Sequence, residues 1–254
     1  MPALQFATFS LSPFEAAFCV AGLLLAYGLR GSTGFGGALG MTLLVVFIPI
    51  KVAVPAWTLL GIASSLTILG RDRREVAWRD VRPFLPWCML GIGLGLYVFA
   101  AVDARTLARA LGVVVFAYAA HSLWSTLGPR QAPRMPAALV APVSGVAAGA
   151  TGTIFGTMAT LFFVMYLDAR RLAKQAFRAT MSAMLLALAV VRGIGYYAVG
   201  EFTRDALLVF AYAFPVMLVG IYAGDRIHVR MAETAFKRVV GATLLVSSIP
   251  LLLK

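Results

Sequence analysis

The chain has 254 residues, 61% of them hydrophobic and only 13% charged, where a soluble domain has about 25% charged residues. Its net charge is +12, but most of the cations lie in short segments between apolar runs. That is the pattern of membrane loops, and it excludes a separate basic domain for nucleic acid. The apolar runs are continuous, which excludes an alternating β-barrel, and with a mean hydropathy of +0.90 they predict an all-α polytopic membrane protein.

The N-terminal 29 residues contain no Lys or Arg. There is no positive n-region, so no secretory signal peptide is expected, and the N-terminus is expected outside the cytoplasm. Apolar segments follow at Phe14–Leu29, Gly37–Ile50, Val52–Gly70, Phe84–Ala101 and Thr106–Leu127. A polar, Pro-rich joint, Gly128–Pro136, precedes Ala137–Gly149, Ile154–Leu167, Ala173–Val199, Ala206–Ala223 and Ala235–Leu253. Gly37–Ile50, Ala137–Gly149 and Ile154–Leu167 are too short to span alone. They flank two Gly-rich stretches, Gly31–Gly37 and Gly149–Gly156, which predict a broken or re-entrant helix pair in each half.

With Gly37 placed on Gly156, the two halves align as an internal repeat: residues 1–127 and 137–254, joined by 128–136. The charges are opposed between the halves. One cation, Lys51, precedes the long helix of the first half, and Arg71, Arg73, Arg74, Arg79 and Arg82 follow it. In the second half Arg170, Arg171, Lys174 and Arg178 precede the long helix, and only Arg204 follows, beside Glu201 and Asp205. Corresponding loops are therefore expected on opposite sides of the membrane, as in inverted repeats of about five helical segments each.

The stretch GLRGSTGFGGALG, Gly28 to Gly40, holds six glycines with Arg30, Ser32 and Thr33. Non-helical backbone at membrane depth is tolerated where it lines a protein-enclosed site. A helix starting there offers free N–H groups and a positive dipole end, and glycines let a ligand approach closely. The candidate substrate-binding residues are Arg30, Ser32, Thr33, Gly34, Phe35, Gly36 and Gly37 in the first half. Thr151, Gly152, Thr153, Gly156, Thr157 and Arg192 are the candidates in the second. The ligand they fit is a small anion such as sulfite, sulfate, a sulfonate or a carboxylate. The alternative is packing alone, with hydroxyls bonded to the preceding turn. GxxxG pairs at Gly36/Gly40, Gly91/Gly95, Gly145/Gly149, Gly152/Gly156 and Gly220/Gly224 serve close helix contact.

Arg192 lies inside an apolar segment, where a charge is usually functional; the alternative is snorkelling to the near interface. Trp57, Tyr196 and Tyr197 are expected in interfacial aromatic belts, with lining of the transport path as the alternative. Cys19 and Cys88 stand alone and read as packing residues. His121 and His228 are isolated, and no catalytic cluster or metal-ligand spacing is present, so neither an enzyme nor a metal site is expected. GFGGALG has its third glycine one position late for a dinucleotide motif and lacks a strand before it.

LRGSTGFGGAL resembles the first-repeat signature of the TauE/SafE sulfite-exporter family through Arg30, Gly31, Gly34, Phe35, Gly36, Gly37, Ala38 and Leu39. GVAAGATGTIFG and FRAT (Phe177–Thr180) are similar to that family's second half. The resemblance implies a bacterial inner-membrane transporter of sulfur-containing or organic anions, often an exporter, with no cofactor. Its partners would be a small anionic substrate, the lipid bilayer and, if transport is coupled, a proton or sodium ion. An anion-selective channel and a non-catalytic subunit of a larger complex stand as alternatives, and the oligomeric state is left open.

Overall fold

The computed structural model describes residues 4–33, 37–125, 137–170, 172, 174–226 and 248–252. The joint Gly128–Pro136 and most of the segment Ala235–Leu253 lie outside the described residues. A short antiparallel hairpin, β1 (Leu4–Gln5) and β2 (Ser10–Leu11), leads into α1 (Pro13–Thr33). Then come α2 (Gly37–Phe47), α3 (Ile50–Asp72), a 3-10 turn at Arg73–Glu75, α4 (Trp78–Val81), α5 (Leu85–Ala101) and α6 (Ala104–Ser125). The second part comprises α7 (Ala137–Phe155), α8 (Ala159–Arg170), α9 (Lys174–Ala198) and α10 (Arg204–Arg226).

Local chemistry sets several of these boundaries. Ser12 and Glu15 form a reciprocal capping box: the Ser12 N–H donates to Glu15 Oε2 at 2.7 Å and the Glu15 N–H donates to Ser12 Oγ at 3.3 Å. Pro13 takes the first helical position, where its missing N–H is not needed. Asp103 starts α6 by accepting from the Thr106 N–H at 2.9 Å and the Thr106 hydroxyl at 2.6 Å. Asp205, at the start of α10, accepts from the N–H groups of Ala7 (2.9 Å) and Thr8 (2.8 Å), so it ties the N-terminal hairpin to that helix.

α1, α3, α9 and α10 each contain an apolar stretch long enough to cross a membrane. Of these, 61% of the α3 and α9 stretches is buried, against 39% for α1 and 33% for α10, so α3 and α9 form the centre. α3 packs on α9 and α10, α1 on α10, and α5 on α7 and α9. These main pairings are unchanged when α1, α2, α3 and α5 are exchanged with α7, α8, α9 and α10. Outward-facing residues such as Leu66, Leu94, Tyr97, Ile194 and Val219 are more than half exposed, which suits an apolar solvent.

The α5–α7 contact is glycine-dependent. A Cβ on Gly91 would fall inside the Val146 carbonyl, and one on Gly149 inside the Cys88 carbonyl. On the other side, a Cβ on Gly224 would meet the Gly28 carbonyl and one on Gly220 would lie 2.9 Å from Tyr27 Cβ. These GxxxG pairs serve backbone contact. Cys19 and Cys88 are buried packing residues. At one end, Tyr166 donates to the Asp80 carbonyl at 2.7 Å and Arg170 Nε lies 3.4 Å from Asp80 Oδ1. The Thr180 hydroxyl accepts from the Ala77 N–H at 2.9 Å. These bonds join the α3–α5 connection to α8 and α9.

The helix breaks are narrower than the glycine pattern predicts. α1 continues through Gly31, Ser32 and Thr33, and α2 begins at Gly37. α7 continues through Gly149, Thr151, Gly152 and Thr153 to Phe155, and only Gly156, Thr157 and Met158 leave the helix before α8. In an apolar surrounding a broken backbone hydrogen bond is expensive, and this outweighs the weak helix propensity of glycine. The helical glycines are there for contact.

Gly149→Ala is expected to destabilise the detergent-solubilised protein by about 1–3 kcal/mol through overpacking. Gly93→Ala, on the partner helix α5 but with nothing within 4 Å of its Cβ, is expected to leave the melting temperature unchanged or raise it. A thermal-melt comparison of the two checks this; equal shifts would contradict the close-contact account.

Candidate anion site

Two arginines are buried at the centre of the helix assembly. Arg30, from the last part of α1, is 7% exposed and donates from Nη2 to Ser65 Oγ on α3 at 2.8 Å. Arg192, from α9, is 4% exposed and donates from Nη1 to the Gly152 carbonyl of α7. Its Nη2 lies against Gly61, one helical turn before Ser65. Both guanidiniums therefore rest on the same face of α3. Arg192 is fully inside the protein and does not snorkel.

The partner of Arg192 follows from where α7 stops. The last four carbonyls of a helix have no acceptor role within it. Arg192 and Tyr196, one turn apart on α9, donate to two of these, those of Gly152 and Thr153. A cation at this end also complements the negative pole of the helix dipole. Tyr196 is completely buried, and Trp57 is 3% exposed with its ring 5.3 Å from that of Tyr27. Neither lies in the interfacial belt expected of it, because each is drawn inward by packing and Tyr196 also by its hydrogen bond. Tyr197, 79% exposed, faces outward.

Beside the arginines is a cavity of about 30 Å³, space on the order of two waters. Arg30 and Arg192 line it together with Trp57 and Gly61 of α3. Gly156, Thr157, Ala159 and Thr160 of the α7–α8 break and the α8 N-terminus line another side, and Leu185, Leu188 and Ala189 of α9 complete it. The first N–H groups of α8 have no partner within their helix, so the cavity meets two full positive charges and the positive end of a dipole. No carboxylate among the described residues pairs with either arginine. Asp80 is engaged by Arg170, Asp103 by Thr106, Asp205 by Thr8 and Glu15 by Ser12.

Of the residues that the sequence singles out, the structure brings Arg30, Gly156, Thr157 and Arg192 to this cavity. Gly34, Phe35 and Gly36, with the side chains of Ser32 and Thr33, lie outside the described residues. Gly37 begins α2. Thr151 bonds back to the Ala147 carbonyl at 2.7 Å, the packing alternative. Gly152 packs against Ala159 and Leu188, and Thr153 faces Gly95 of α5. The helix start that faces the cavity is thus Ala159–Thr160, and the stretch Thr151–Phe155 supplies a helix end instead. Ser65, Gly61 and Thr160 were not singled out. Ser64–Ser65, a polar pair inside an apolar span, was the available signal.

Residues 18–251 match the family model described as Sulfite exporter TauE/SafE. The chain belongs to this family. It is also similar to the Probable inner membrane transporter protein TsaS of Comamonas testosteroni, with 26% identity over 197 residues, covering 76% of this chain and 80% of that protein. No solved structure matches it. As a TauE/SafE member with several membrane-length apolar helices, the protein is a membrane transporter.

The α7–α8 break of this TauE/SafE chain carries unusual backbone. Gly156 has φ of +71° and Met158, a residue with a Cβ, has φ of +70°. A left-handed conformation costs such a residue about 1–2 kcal/mol. Met158 is also buried, so any truncation removes packing. Met158→Gly is therefore expected to be more stable than Met158→Ala by about 1 kcal/mol, the reverse of the order inside a helix. Chemical or thermal unfolding of the two variants decides it, and Ala at or above Gly would contradict the assignment.

Proposed function

We propose that the protein is a secondary transporter of small anions, working by alternating access around the cavity between α1, α3, α8 and α9. The observation that carries this reading is the pair of buried guanidiniums, Arg30 and Arg192, with no carboxylate against either among the described residues. An uncompensated buried charge is strongly destabilising. A bound anion supplies the missing counter-charge, and the α8 N-terminus adds N–H donors to it. Sulfite, sulfonates such as sulfoacetate and related organic anions fit this chemistry, in keeping with the family name. Export is the direction that name suggests.

The two halves, 1–127 and 137–254, act in this reading as inverted repeats, with the N-terminus outside. The exchange-invariant helix pairings and the opposed loop charges support that arrangement. A small cavity bounded by α1, α3, α8 and α9 favours a carrier over an open channel. The strained break at Gly156–Met158 is the natural place for the cavity to widen, since hinge motion concentrates at a few such residues.

Counterflow of labelled sulfite and sulfoacetate in proteoliposomes tests this. Saturable, trans-stimulated flux is expected for at least one of them. Arg30→Gln and Arg192→Gln are each expected to reduce it by about tenfold or more, the equivalent of about 1.4 kcal/mol in binding. Flux without trans-stimulation would indicate a channel. Full activity in both variants would remove the arginine pair from the mechanism.

A further inference from the structure

The count of charges around the cavity goes beyond its sign. We infer that the cavity selects a doubly charged anion over a singly charged anion of the same shape. The inference rests on the anion-site reading above and narrows its substrate class.

Arginine stays protonated throughout the physiological range. Arg30 spends its observed hydrogen bond on a neutral hydroxyl, Ser65, and Arg192 on a neutral carbonyl, Gly152. Neither contact cancels a unit charge. The two helix ends nearly offset one another, since the α7 C-terminus contributes a partial negative pole at Gly152 and the α8 N-terminus a partial positive pole at Ala159. Among the described residues, the titratable groups within electrostatic range of the arginines are Tyr27 on α1, Cys88 on α5 and Tyr196 on α9. All three are of types that are neutral at neutral pH. α3 contributes Ser65 and Gly61, and α8 contributes Thr160, none of which ionises. On α10 the Asp205 carboxylate is committed to the N-terminal hairpin. Glu201 lies beyond the end of α9 and acts on Tyr196 rather than on the arginines.

Among the described residues, the unsatisfied charge at the cavity is therefore two. A monoanion neutralises one guanidinium and leaves the other buried without a counter-charge, the arrangement that costs most. A dianion neutralises both. Arg192 Nε has no hydrogen-bond partner, so a donor on the second arginine is still free to take one.

Methanesulfonate and methylphosphonate make the comparison, because they are nearly the same shape. The first is a monoanion throughout. The second gains its second charge near neutral pH. Binding of each to the purified full-length protein is measured above and below that transition. Above it, methylphosphonate is expected to bind about tenfold or more tighter than methanesulfonate. Below it the two should bind alike. Arg30→Gln, which can keep its bond to Ser65, should abolish the preference above the transition, a change in selectivity that simple loss of packing does not produce. Equal binding of the two anions by the native protein above the transition would overturn the inference while leaving an anion site intact. If neither these anions nor sulfite bind, the anion-site reading falls, and this inference falls with it.

Discussion

Everything central in this protein depends on how two guanidiniums are housed inside an assembly of apolar helices. Each is buried, and each is held against α3 or α7 by a neutral partner. Burying such a charge is tolerable only with hydrogen bonds and, at some stage, a counter-charge. The helix arrangement supplies the hydrogen bonds from Ser65 and from the end of α7. The counter-charge is left to the ligand. α3 meets both arginines at small residues, Ser65 accepting from Arg30 and Gly61 lying against Arg192.

The rest of the fold brings these pieces together. Glycine contacts draw α5 onto α7 and α10 onto α1 at backbone distance, which places the end of α7 within reach of α9. Arg192 and Tyr196 then engage adjacent carbonyls there. The chain leaves the helix for three residues only, and two of them adopt left-handed backbone. That turn points α8 so that its N-terminal residues, rather than its C-terminal ones, meet the cavity. Packing, capping and the proposed binding are thus linked through one short segment.

Much of this was legible in the sequence, and the remainder failed for identifiable reasons. Apolar length located the spanning helices, and the two Gly-rich stretches located both interruptions. Arg30 and Arg192 stood out because charges are rare in such segments. The extent of the second break did not, because Gly149 and Gly152 look like helix breakers in sequence, while in an apolar surrounding they are contact positions inside a continuous helix. That difference places the helix start facing the cavity at Ala159 rather than Thr151–Gly156; Thr151 bonds back to Ala147, and Thr153 packs against Gly95 with its hydroxyl unpartnered. For Trp57 and Tyr196 the belt reading gives way to burial, and Trp57 takes the alternative place along the cavity, because an aromatic residue near an interface and one that turns inward have the same composition signal. Ser65 required knowing that α1 and α3 are within side-chain reach, which only tertiary packing provides.

The most direct test of the central claim is an experimental structure determined with selenate, a heavy tetrahedral dianion whose position can be read from anomalous scattering. The account predicts selenium between Arg30 and Arg192, next to Thr157 and the N-terminus of α8. Selenium confined to the exposed loop arginines, with no density at the buried pair, would contradict it.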